Sequence, residues 1–143
     1  MEAVIFIGVQ GAGKSTFYRE TFADTHVRIN LDMLKTRRRE RLIFEACIAA
    51  RQSFVVDNTN PLRADRARYI APARAAGFGV IAYYFATPLR EALRRNSLRK
   101  LQQRIPAVAL AGTFKKIEKP GLGEGFDEIH TVELTPEDQF QII

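Results

Sequence analysis

The chain has one cysteine, two histidines and no tryptophan in 143 residues. A single thiol excludes an internal disulfide framework and a cysteine-based metal site. That thiol, Cys47, sits among Ala46, Ile48 and Ala49 and reads as a buried core residue. His26 and His130 fall at the edges of expected strands without a partner at metal-ligand spacing, so neither is a catalytic candidate. No apolar run approaches the roughly 20 residues of a helical membrane span, and no membrane partner is expected. The opening MEAVIFIGVQG has an acidic second residue and runs directly into glycines. It reads as a strand rather than a signal peptide, which makes a cytoplasmic setting the expectation. Repeats, low-complexity tracts and linkers are lacking too. Residues 1–143 therefore read as one domain, and no obligate protein partner is implied.

Acidic charge is scarce where basic charge is dense. The net charge is +6, yet residues 1–31 balance, residues 32–104 carry +10, and residues 105–143 carry −4. A polyanionic partner would answer such a middle region; solvated helix faces would also account for it.

What is present is an alternation of strands and helices. Apolar, β-branched runs at 3–7, 27–30, 53–57, 79–85 and 128–134 read as strands. Helices are expected over 14–22, 32–51 and 63–76, from Pro88 to about 99, and from Pro106 to about 119. On the second of these, Ile43, Ala46, Cys47 and Ala50 recur at helical spacing and are expected to form its apolar face. Continuously apolar strands imply an α/β protein with a parallel sheet covered by helices on both faces.

The stretch Gly8-Val9-Gln10-Gly11-Ala12-Gly13-Lys14-Ser15-Thr16 meets the pattern G-x-x-x-x-G-K-[ST]. Glycines let several backbone N–H groups point at one anion, and the following helix adds its positive end. Gly8, Gly11, Ala12, Gly13, Lys14, Ser15 and Thr16 are thus the candidates for holding ATP. Lys14 would neutralise the β/γ oxygens, and the Ser15 hydroxyl would ligate Mg²⁺. Phe54-Val55-Val56-Asp57 ends an apolar strand with a carboxylate, so Asp57 is the second metal candidate. The guanine-reading NKxD is lacking, which argues against a GTP switch.

Asp32 follows the second strand. In open α/β sheets ligands bind beyond the carboxyl ends of the strands, so Asp32 and the glycine loop are expected to face one cleft. A kinase of alcohols needs a base there, and Asp32 is the candidate, although a helix cap would look the same. Arg94, Arg95, Arg99, Lys100 and Arg104 crowd one stretch; Arg95 and Arg99 share a helical face and could answer transition-state charge. Lys35 to Arg41 is a basic run at a helix start, where an anionic acceptor would favour it.

Together, GVQGAGKST, INLDML, VVDNTNPLRADRARYI, and RRNSLR followed by IP resemble the kinase domain of polynucleotide 5′-kinases, from residue 3 to about 132. FKKIEKPGLGEGF resembles the C-terminal part of the animal kinase domain. The resemblance implies a P-loop NTPase fold of the nucleoside-monophosphate-kinase type with a short helical lid. It also implies ATP-dependent phosphorylation of a DNA or RNA 5′-hydroxyl. Asp32 would be the general base and Arg99 the lid arginine on the ATP phosphates. Lys35 falls where a phage-type arginine touches the acceptor phosphate, and Lys115 and Lys116 match a basic pair near the substrate path. Arg38 and Asn60 complete the acceptor-side candidates. Leu31 departs from the family's usual arginine before the aspartate, and no DxDGT phosphatase motif is present. Two alternatives stand beside this reading: a small-molecule kinase acting on a sugar, nucleoside or antibiotic, and a nucleic-acid-binding ATPase that transfers nothing.

Overall fold

The computed structural model describes residues 1–143. All five expected strands form: β1 (Glu2–Ile7), β2 (Val27–Ile29), β3 (Phe54–Val56), β4 (Gly79–Phe85) and β5 (Glu128–Leu134). They run parallel in the order β2-β3-β1-β4-β5. A further strand, β6 (Phe140–Ile142), pairs antiparallel with β5 at the edge. It lies beyond the last expected strand. Three residues with one half-buried side chain are too few for a period to register.

The helices are α1 (Lys14–Thr21), α2 (Leu31–Leu34), α3 (Arg37–Ala50), α4 (Arg63–Ala75), α5 (Leu89–Ser97) and α6 (Ala107–Lys116), with 3-10 turns at Leu101–Gln103 and Leu122–Glu124. They cover both faces of the sheet. Along β1, Ala3, Ile5 and Ile7 pack with Phe44 and Cys47 of α3 and Tyr69, Ile70 and Ala73 of α4. Val4 and Phe6 point the other way, to Phe17 of α1, Ala92 of α5 and Leu110 of α6. Phe6 is the hub of that second layer, with ring centroids 5.1 Å from Phe85 and 5.8 Å from Phe17. Alternate side chains of a strand face opposite ways, so a strand apolar at every position must be covered twice.

Two expectations are corrected. The single helix over 32–51 is two helices. Lys35 adopts φ +75°, and Thr36 starts α3 afresh by accepting a 3.1 Å hydrogen bond from Arg39 N–H. The side-chain cap competes with helical continuation, which periodicity does not register. The apolar face of α3 also differs. Ile43, Ala46 and Ala50 are exposed, and the buried stripe is Glu40, Phe44 and Cys47. A carboxylate inside the stripe hides it from a hydrophobic pattern. Cys47 itself is buried, as expected. No helix is long and apolar enough to cross a membrane.

Candidate active site

The carboxyl ends of β1, β2 and β3 open into one cleft of about 760 Å³, and β1, with β3 on one side and β4 on the other, is where the strand order reverses. The loop after β1 leaves the sheet against Phe85. A Cβ at Gly8 would stand 2.9 Å from the Phe85 Cβ, so only glycine fits. Gly13 ends the loop in the left-handed region at φ +91° and precedes α1 without offering a side-chain cap. The first N–H groups of α1 are thereby left for an anion.

Lys14 lies inside this loop. Its Nζ donates to the carbonyls of Gly8 (3.0 Å) and Val9 (2.8 Å). Burial pushes the ammonium down to about 8; Asp57 and Asp32 oppose that shift, and the Arg99 guanidinium adds to it. Ser15 Oγ donates to Asp57 Oδ2 at 3.1 Å. Asp57, at the end of β3, is buried, and Arg28 Nε donates to the same oxygen at 2.9 Å while Arg28 Nη2 donates to Ser15 Oγ at 2.8 Å. A hydroxyl and a carboxylate this close are hard oxygen donors of the kind Mg²⁺ takes alongside phosphate and water. The chain has no cluster of three or more His, Cys, Asp or Glu able to hold an ion unaided, and such a two-oxygen seat needs none.

Asp32 lines the same cleft and is carried by a turn that other elements hold. Asn30 caps α2 by accepting from Met33 N–H (2.9 Å) and donates to the Asp57 carbonyl. Asn58 Oδ1 accepts from Leu31 N–H (2.9 Å), and its Nδ2 donates to buried Glu40 (2.8 Å). Glu40 also accepts from the Tyr69 hydroxyl and from Arg37, both at 2.8 Å. The turn carrying Asp32 is thus tied through Asn30, Asn58 and Glu40 to β3, α3 and α4. Burial, then the hydrogen bond to Glu40, pushes the Tyr69 hydroxyl up to about 12.

The lid runs from α5 to the start of α6. Arg95 and Arg99 both line the cleft. Arg95 lies over the phosphate loop, since a Cβ at Gly13 would be 3.3 Å from its Nη1. Asn96 closes the base of the lid by hydrogen bonds to both backbone groups of Ile105.

The structure brings Gly11, Gly13, Lys14, Ser15, Thr16, Asp32, Asp57, Asn60, Arg95 and Arg99 to the cleft wall. Gly8 and Ala12 lie behind it, shaping the loop. Asn60 is buried, and its amide is committed to the Phe6 carbonyl at 2.8 Å. Lys35, Arg38, Lys115 and Lys116 are exposed and none lines the cleft. The arginines after DNTNP separate cleanly. Arg63 turns outward toward Glu118, Arg66 is fully buried on Glu124, and Arg68 reaches the cleft. Sequence reasoning missed Arg28, Glu40, Asn58 and Asn96 as working residues. The signal available for one of them was a charge within an apolar run, Arg28 in VRI; Glu40 stands among arginines and nothing in the sequence marks it.

Residues 36–119, more than half of the chain, match a family model described as an AAA domain. The chain belongs to that AAA-domain family. Its P-loop precedes the matched span. A bifunctional polynucleotide phosphatase/kinase of Schizosaccharomyces pombe is 25% identical over 135 residues, covering 92% of this chain and 33% of that protein. A putative bifunctional polynucleotide phosphatase/kinase of Acanthamoeba polyphaga mimivirus is 30% identical over 138 residues with the same coverage. The chain spans about a third of the length of the curated relatives it matches. Among solved structures, a gluconokinase from Sinorhizobium meliloti 1021 superposes with a TM-score of 0.63 at 19% identity, covering 92% of this chain and 82% of the other. At that identity the likeness shows the fold, a P-loop kinase sheet with helices on both faces.

Proposed function

We propose that residues 1–143 form one kinase domain that transfers the γ-phosphate of ATP to the 5′-hydroxyl of a polynucleotide. The observation that carries this reading is that Lys14 and Asp32 line one cleft. The loop N–H groups and Lys14 hold the β/γ-phosphates. Ser15 and Asp57 would hold Mg²⁺, which when bound neutralises phosphate charge. Asp32 accepts the proton of the acceptor hydroxyl as its oxygen attacks the γ-phosphorus. The bond to the β–γ bridging oxygen breaks and ADP leaves. Arg99 and Arg95, carried by the lid, stabilise the charge spread over the transferring group. The two curated relatives named as polynucleotide phosphatase/kinases and the exposed basic surface of α3 support a nucleic-acid acceptor. Phosphate contacts of that kind supply affinity without sequence preference.

A small alcohol is the second reading, supported by the fold shared with the gluconokinase. Transfer of labelled γ-phosphate from ATP·Mg²⁺ decides between them. Acceptors are 5′-hydroxyl DNA, 5′-hydroxyl RNA and a pool of sugars and nucleosides, with Lys14→Ala and Asp32→Ala as controls. Oligonucleotide labelling lost in both variants is the expected result. Labelling confined to small alcohols overturns the substrate and keeps the mechanism. Hydrolysis without any acceptor, insensitive to Asp32→Ala, leaves a binding ATPase instead.

A further inference from the structure

On β2, Ile29 points into the core layer of α3 and α4, so Arg28 beside it points to the α1 side. A short edge strand does not need an arginine, and ordering so long a side chain opposes folding. Yet the Arg28 side chain is only 27% exposed, held by its partners. Its guanidinium lies 6.0 Å from the Tyr18 ring centroid and ends on both candidate metal ligands. Arg28, Ser15 and Asp57 close a three-membered ring of hydrogen bonds at 2.8, 2.9 and 3.1 Å.

We propose that Arg28 is a resident counter-cation at the metal seat, which opposes a lone divalent ion and admits one only together with nucleotide phosphates. The inference rests on the reading that the loop binds a nucleotide. A serine hydroxyl has one proton and two lone pairs. Here the proton goes to Asp57 and one lone pair to Arg28, leaving the second for a metal. A divalent ion arriving alone meets a carboxylate already neutralised and a fixed positive charge beside it, which is repulsive at short range even in a partly solvated site. A triphosphate reverses the balance: its negative charge attracts the guanidinium and the metal alike. The same guanidinium, behind Ser15 and Asp57, leaves positive charge at the seat that favours a metal-free nucleotide. Arg28 thus acts through Ser15 and Asp57, as a positioning residue that sets the order in which metal and nucleotide bind.

The test uses the full chain and Mn²⁺ as the metal, read by the electron paramagnetic resonance of free Mn²⁺. In nucleotide-free protein, Arg28→Gln should bind Mn²⁺ about tenfold or more tighter than wild type, the scale of removing a unit charge beside a divalent ion. Arg28→Lys keeps the charge and should stay near wild type. Adding Asp57→Asn to Arg28→Gln should abolish the gain. ADP titrated in EDTA should bind wild type and bind Arg28→Gln about tenfold more weakly, a difference that shrinks in Mg²⁺. Equal Mn²⁺ affinity in wild type and folded Arg28→Gln overturns the proposal. Should Arg28→Gln fail to fold by circular dichroism, wild type alone decides: Mn²⁺ bound as tightly without ADP as with it overturns the proposal, and tightening by ADP supports it. Wild type that binds no ADP, with or without metal, takes down the nucleotide reading and this proposal together. ADP binding with unaltered Mn²⁺ affinity takes down this proposal alone.

Discussion

Lys14 and Asp32 face one cleft, yet different parts of the molecule hold them. The donor side hangs on β1 and β3 in the middle of the sheet, where strands are buried on both faces. Its contacts are largely main-chain: the loop's own carbonyls hold Lys14, and backbone N–H groups of α1 face the anion seat. The acceptor side lies toward the β2 edge. There exposed Asp32, Arg37 and Arg68 are carried by three helices, and side-chain amides, a buried carboxylate and a phenol tie those helices together. Under the proposed function, phosphate binding falls to one local stretch of chain, and acceptor recognition to packing between stretches far apart in sequence.

Asp32→Asn tests this division with the largest expected effect. It should lower phosphoryl transfer by about 10²–10⁴-fold, the usual contribution of a general base, and leave ADP affinity within about twofold. Lys14→Ala should reduce both transfer and nucleotide binding. Transfer is read by labelled phosphate and affinity by calorimetry. Loss of ADP affinity in Asp32→Asn equal to that in Lys14→Ala would break the division.

Glu40→Ala comes next. It strands the Tyr69 hydroxyl, the Asn58 amide and one Arg37 N–H, and should cost about 2–3 kcal/mol in urea unfolding. Glu40→Gln keeps an acceptor and should cost less. Both should slow transfer more than they weaken ADP, because Asn58 holds the backbone of the Asp32 turn. Gly8→Ala sharpens the donor side. A Cβ pressed 2.9 Å from Phe85 should destabilise by about 1–3 kcal/mol, with ADP affinity falling alongside.

The donor side was largely legible in the sequence. The spacing of Gly8, Gly13, Lys14 and Ser15 fixes a local geometry, and apolar runs on either side locate the strands. The parallel sheet and its two helical layers followed from those runs. Less of the acceptor side was legible. A break at Lys35 depends on a threonine cap, and Glu40 is buried because Asn58 and Tyr69, from outside its helix, and Arg37, on it, all donate to its carboxylate. The cap stands next to Lys35, yet a hydrophobic period does not register it; the burial of Glu40 is not local at all, since Asn58 and Tyr69 lie 18 and 29 residues away. Arg28 and Asp57 likewise meet across 29 residues. The three residues of β6 are too few to show a period, although its Phe140 packs on Phe17 beside the phosphate loop.

Acidity provides a smaller and signed test of the donor side. Lys14 is held at about 8 rather than the ordinary 10.5, first by burial. Between those values the unfolded chain binds more protons than the folded one, so this residue's contribution to stability rises with pH from about 8 to 10.5. Nucleotide affinity should move the other way. Neutral lysine no longer attracts phosphate, so ADP binding should weaken above about pH 8, by at most about tenfold per unit. The two trends are read by urea unfolding and by calorimetry across the same buffers. Parallel trends would show that Lys14 does not control both.

The smallest expected effect concerns the four basic residues outside the cleft. Lys35, Arg38, Lys115 and Lys116 are exposed, and none touches the cleft wall. They can act only on an acceptor long enough to leave the cleft and run over the surface. Alanine at any one should leave transfer to a nucleoside unchanged. With a long 5′-hydroxyl oligonucleotide it should raise KM by about two- to threefold and lower the slope of log affinity against log salt by about 1 for each lost phosphate contact. Arg68→Ala, at the cleft wall, should instead weaken short and long acceptors alike. If the outer variants change transfer to a nucleoside as much as Arg68→Ala does, the boundary between cleft and surface path is misplaced. If they change neither acceptor, these four charges serve solvation rather than nucleic acid.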